Sequence, residues 1–150
     1  MPVRIVVDSL ADIPSAQIEK HHIQVVPLTI RFGSLEFKDG VDLTAEDFYR
    51  RLLSDNNFPS TAVPSVGDFV DVYERIGKDA DGIISIHVSS QVSGTHNAAV
   101  QGAREAKLDC PIEIVDSMQA SMGIGMLALV AANAAEENAD FSTILEGVRN

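Results

Sequence analysis

The sequence has no tryptophan, one cysteine and only 5% aromatic residues, and its 22 Asp and Glu residues outnumber 11 Lys and Arg. Each shortage excludes something. Cys110 alone forms no internal disulfide. With so few aromatics, stacking platforms for single-stranded nucleic acid are scarce. A net charge of −11 repels phosphate backbones and anionic lipid heads, so neither nucleic acid nor a membrane is an expected partner. The start, MPVRIVVDS, lacks a signal peptide's basic stretch followed by an apolar one, and a cytoplasmic location is expected. The most apolar segment, residues 122–135, is too short to span a bilayer. Its alanines and glycines predict a buried helix packed closely on a sheet.

What remains is a core of Ile, Val, Leu, Ala and Met in a chain of 150 residues, enough for one domain that buries ~70% of its unfolded surface. Residues 3–7, broken only by Arg4, predict an opening strand that ends at Asp8-Ser9. Pro14 and Ser15 start a short helix reaching His21. Residues 24–32 are strand-like, and turn residues on either side of 35–37 predict a hairpin-like excursion. Thr44 and Ser65 are N-caps, each followed three places on by an acidic residue. The first caps a helix with an apolar face of Phe48, Leu52 and Leu53, the second one with Phe69, Val72, Tyr73 and Ile76. Between these helices Pro59 and Pro64 stiffen a loop that carries Thr61. Residues 83–88 and 112–115 are further strands, the latter ending at Asp116-Ser117. A helix over 119–137 and a last one capped by Ser142 complete the chain. Strands alternating with helices predict an α/β fold, a mostly parallel sheet with helices on both faces in three layers.

In such sheets ligands bind beyond the carboxyl ends of the strands. Asp8-Ser9, residues 89–95 and Asp116-Ser117 all emerge on that edge if their strands are parallel. The candidate site is therefore Ser9, Ser89, Ser90, Ser93, Gly94, Thr95 and Ser117, with Ser121 and Met122 at the start of the long helix. Residues 82–106, GIISIHVSSQVSGTHNAAVQGAREA, read as strand, loop and helix, and the unpartnered N–H groups at the helix start make the loop an anion cradle. The loop holds no Lys or Arg, which suits a single carboxylate better than a polyphosphate. The same hydroxyls would also serve simply as helix caps. Serines near His87, His96, Asp8 and Asp116 offer the parts of a catalytic triad, but the GxSxG elbow is missing around Ser93. The four histidines lack metal-ligand spacing, and no metal or cofactor is expected. Asp8 and Asp116 read as acceptors for loop N–H groups, His21 and His22 as helix-end residues, and His87 as a satisfied, half-buried strand residue. Gly123 and Gly125 read as close-packing positions.

Seven stretches, VVDSLADIP, VVPLTIRFG, KDGVDLTAEDFYRRL, TAVPS, GDFVDVYERI, IISIHVSSQVSGTHNAA and VDSMQASMGIG, together resemble the DegV family of fatty-acid-binding proteins over almost the whole chain. The resemblance implies a bacterial, non-enzymatic protein that buries a long-chain fatty acid and presents its carboxylate to a separate ATP-dependent fatty acid kinase. It puts the family's carboxylate-contacting threonine on Thr61 and its serine on Ser93. Ala62 stands where the family motif commonly has a second hydroxyl. The tail is expected between the sheet and apolar helices, with residues 122–129 as part of its wall. Residues 1–150 would correspond to the family's N-terminal, acyl-chain-binding domain. The second α/β domain, which closes over the head group, would begin beyond Asn150. An apolar rim left uncovered keeps self-association open. Two rival functions stand beside this one: a serine hydrolase or acyl-transfer enzyme using Ser93, and an interaction module without lipid.

Overall fold

The computed structural model describes residues 2–150. In chain order it builds β1 (Val3–Asp8), α1 (Ser15–Lys20), β2 (Gln24–Val26), β3 (Thr29–Phe32), β4 (Leu35–Lys38), α2 (Ala45–Ser54), β5 (Ser60–Ala62), α3 (Val66–Gly77), β6 (Gly82–His87), α4 (Thr95–Glu105), β7 (Ile112–Asp116), α5 (Met122–Glu136) and α6 (Phe141–Arg149). A 3-10 turn, Ser9–Ala11, follows β1.

The main sheet is four parallel strands in the order β2-β1-β6-β7. Side chains alternate across it, and each face has its own core. Val3, Ile5, Val7, Ile84 and Ile86 pack with Ile124 and Ala128 of α5 and Ile144 of α6. Val6 and Ile83 point the other way, onto Phe69 and Tyr73 of α3 and Ala99 of α4. The result is the expected three-layer α/β fold. Phe69 and Tyr73 are fully buried, and each stabilises the fold by ~1.5–3 kcal/mol. They reach that depth because Gly102 lets α4 approach α3: a Cβ there would lie 2.5 Å from the Cβ of Phe69.

Beside this sheet, β4-β3-β5 form a small antiparallel one over Ile30, Phe32 and Leu43. Its hairpin turns at Gly33, whose φ of 59° suits glycine at the first of two connecting positions. The strand-like run over 24–32 is thus two strands in two sheets. Pro27 cannot donate to a ladder, and the N–H of Leu28 leaves it to bond Ser9 Oγ at 3.1 Å. The stiffened loop around Thr61 is itself a strand, with Thr61 opposite Ile30.

Thr44 accepts the N–H of Asp47, and Ser65 with Asp68 forms a reciprocal capping box. On α2, however, only Phe48 packs inward, while Leu53 is 89% exposed and Leu52 lies at the surface. The small sheet offers that helix too little surface to cover more. The last helix is capped by Asp140, which accepts from the N–H of Thr143, and not by Ser142. The long helix starts at Met122 instead of residue 119, because Met118 and Ser121 have φ of 53° and 54° and break the helical path. Within α5, Gly125 lies against the chain after β1, where a Cβ would be 2.7 Å from the carbonyl oxygen of Ala11. This is the close packing the sequence predicts.

Candidate functional site

Because β1, β6 and β7 are parallel, their carboxyl ends emerge on one edge and bring the Ser9, Ser89–Thr95 and Ser117 segments there. The loop after β6 is tied down at its root. The N–H of Ser89 bonds Gln119 O at 3.0 Å, and Ser89 O takes the N–H groups of Val92 and Ser93 at 2.9 and 3.1 Å. The Ser90 N–H bonds the Asp116 carboxylate at 3.2 Å, and Ser117 N bonds His87 O at 3.0 Å. Burial pushes the Asp116 carboxyl up, but hydrogen bonds from Ser90 and Met118 outweigh it and hold it below the usual range. Asp116 is thus the loop-binding acceptor expected of it.

Ser93 Oγ lies 2.9 Å from Thr95 Oγ1 and accepts the Thr95 N–H at 3.2 Å. Gly94 precedes α4 without a side-chain cap, and the N–H groups of His96 and Asn97 make no hydrogen bond among the described residues. His96 Nδ1 is buried and also has no hydrogen-bond partner among the described residues. A helix start with open N–H donors beside two hydroxyls suits an acceptor, whereas the orphaned ring nitrogen is buried and does not face it. The segment that follows Thr61 reaches this loop. Val63, two residues on, has its Cγ1 3.9 Å from where a Cβ on Gly94 would stand. Ser117 Oγ accepts the Gln119 N–H, and Ser121 Oγ donates to Asp12 at 2.6 Å.

Beneath the edge runs a buried polar chain. His87 Nδ1 is 2.9 Å from Asp8 Oδ2, His87 Nε2 is 2.7 Å from Ser85 Oγ, and Ser85 Oγ is 2.8 Å from the Tyr73 hydroxyl. Asp8 also accepts the N–H groups of Leu10 and Val88 at 3.0 and 3.1 Å. Asp8 already accepts two backbone N–H groups and acts here as an acceptor, so the His87 proton sits on Nδ1. Ser85 then donates to Nε2 and accepts from Tyr73. Burial pushes the His87 imidazole below its ordinary value, against the opposing pull of Asp8, and pushes the Tyr73 phenol up. These are the contacts of a Ser-His-Asp triad, but on Ser85 and with all three side chains sealed from solvent. His87 is not half-buried as expected but wholly so. Ser93, the serine of the hydrolase alternative, bonds Thr95, and its hydroxyl makes no hydrogen bond to a His, Asp or Glu among the described residues.

Next to the edge opens a cavity of about 520 Å³ between the ends of β1 and β2, α1 and residues 39–45. Its apolar wall includes Val7, Ile13, Ile18, Val25 and Val41. Among the predicted site residues only Ser9 lines it. The expected wall, residues 122–129, does not: α5 packs Ile124 and Ala128 tightly into the core and turns Met122 and Met126 to the surface. Asp8 joins cavity to cradle, since it borders the cavity and holds the Val88 N–H at the root of the Ser93 loop.

The DegV family model matches residues 2–150. The chain belongs to the DegV family. It is 41% identical over 146 residues to a DegV domain-containing protein of Caldanaerobacter subterraneus subsp. tengcongensis, covering 97% of this chain and 51% of that one. Among solved structures, the fold is similar to DegV of Bacillus subtilis, described as a fatty acid binding protein, with a TM-score of 0.93 and 30% identity over 99% of this chain and 53% of that one. It is also similar to a DegV family protein of Thermus thermophilus described for its fatty acid binding, with a TM-score of 0.89, 30% identity, and 99% and 52% coverage. The chain thus spans about half the length of these relatives. For a DegV-family chain, the sequence had signalled the hydroxyl loops. It does not signal the buried, unpartnered His96 Nδ1, the Tyr73–Ser85–His87–Asp8 chain or the cavity wall. The alternation of Ile83, Ser85 and His87 against Ile84 and Ile86 was the available clue that two polar side chains share one buried face.

Proposed function

We propose that this chain binds a long-chain fatty acid, with its carboxylate at Thr61 and Ser93 and its tail in the cavity beside Ser9. The observation that carries this reading is the set of open backbone donors at the start of α4, on the same sheet edge as a cavity whose volume falls in the range of small-molecule sites and linked to it through Asp8. The fatty acid binding described for relatives of 0.93 and 0.89 TM-score supports it. Ser89, Ser90, Gly94, Thr95 and Ser117 shape the cradle, and Ser121 fixes Asp12 at the cavity rim. The description of relatives as fatty acid binding proteins supports a carrier that leaves the acid untransformed. A separate ATP-dependent fatty acid kinase then acts on the presented carboxylate.

On this reading residues 1–150 correspond to an acyl-chain-binding domain, and a second α/β domain completes the head-group enclosure. Exposed Val63, Val92, Met118 and Met122 lie on segments near the carboxyl edge, where such a domain would rest. The test is to extract the purified protein with organic solvent and analyse the extract by mass spectrometry. A co-purifying long-chain acid is expected. An extract free of lipid, from protein that also fails to take up added acid, refutes the reading.

A further inference from the structure

The cavity wall is one-sided in charge. Asp8, Asp12, Glu19 and Asp39 line it, and no Lys, Arg or His does. Asp8 is buried and occupied by Leu10, Val88 and His87, and Asp12 holds Ser121. Glu19 is exposed at the rim and Asp39 half-buried there, and neither makes a side-chain hydrogen bond or ion pair among the described residues. Two unengaged carboxylates on the rim of an apolar cavity do nothing for an alkyl tail. They do repel a carboxylate, because like charges brought close raise each other's energy.

We propose that Glu19 and Asp39 act as a charge filter that gives the ligand a single orientation, tail into the cavity and carboxylate turned away toward Ser93. This rests on the fatty-acid reading above and adds the groups that set its polarity. A plain apolar cavity would disfavour any charged head through desolvation, whatever its sign. An acidic rim discriminates by sign, tolerating an ammonium head where it rejects a carboxylate.

The test uses the 150-residue chain with nitrogen-labelled amides and methyl-labelled Val and Ile, and two nitroxide probes, stearic acid labelled near its carboxyl end and stearic acid labelled near its methyl end. In the unmutated chain the methyl-end probe is expected to broaden Val7, Ile13 and Ile18, while the carboxyl-end probe broadens the amides of Ser93 and Thr61 and spares the cavity. In the double variant Glu19→Gln, Asp39→Asn, whose fold is checked by circular dichroism, both probes are expected to broaden the cavity methyls. Affinity for stearylamine should meanwhile fall by on the order of fivefold per charge removed. Equal broadening by both probes in the unmutated chain, or an unchanged pattern in the variant, overturns the filter while leaving fatty-acid binding intact. If neither probe broadens any of these signals, the fatty-acid reading and the filter fall together.

Discussion

Replacing His87 by Phe tests the buried chain at its centre. The ring volume is roughly kept, and so is the edge contact with Phe69, at 5.2 Å between centroids and 84° between planes. What disappears is polar. The bond to Asp8 is charge-assisted and worth ~1.5–3 kcal/mol, and that from Ser85 ~0.5–1.5 kcal/mol, so the loss is about 2–4.5 kcal/mol of a stability of ~5–15 kcal/mol. Asp8 stays paired with Leu10 and Val88, and Ser85 with Tyr73, so the variant should fold. The pH dependence carries a second signature. Burial holds folded His87 below the 6.5 of a free imidazole, so as pH falls the unfolded chain takes the proton first. The associated stability is fully present above about 6.5 and is lost below it, by up to ~1.4 kcal/mol per pH unit, until the folded-state value is reached. Urea denaturation followed by far-ultraviolet circular dichroism from pH 8 down to about 5 reads both effects, with the slope on urea unchanged. The difference between the two proteins isolates His87, because the other histidines are common to both. A loss under ~0.5 kcal/mol, or stability curves that stay parallel across this range, would refute the account of His87 as a neutral, doubly bonded link.

Thr61→Val and Ser93→Ala should each weaken acid binding roughly tenfold or more without unfolding the domain, since each removes a donor to a charged acceptor worth ~1.5–3 kcal/mol; calorimetric titration of each variant checks this. Gly102→Val should cost about 3 kcal/mol or more by forcing α4 off Phe69, which thermal denaturation will report. Gly125→Ala presses on the carbonyl of Ala11 and on Ile13, so it should lower fatty-acid affinity as well as stability, and an affinity equal to the unmutated chain's counts against the cavity as the tail's place.

Local chemistry made much of the fold legible. Thr44 and the Ser65–Asp68 pair cap the helices they announce, and the polar strand ends Asp8-Ser9 and Asp116-Ser117 do lie on one edge. Elements whose identity depends on a distant partner were not readable. Residues 60–62 become a strand only because β3 is there to pair with them, and β3 is free to pair because Pro27 releases it from the main sheet. The Asp8–His87 bond spans 79 positions of sequence, so nothing near either residue foretells it. The cavity lay elsewhere than expected because alanine and glycine in α5 served close packing, which fills space instead of leaving it.

The central claim is that open backbone donors and a cavity on the same sheet edge together hold a long-chain acid by its carboxylate. Calorimetric titration of the delipidated chain with a soluble long-chain fatty acid, and in parallel with its methyl ester, tests it most directly. The account predicts saturable binding of the acid, with the ester at least about tenfold weaker because the cradle then loses its charged acceptor. Equal affinity for the two, or no binding of the acid at all, would contradict it.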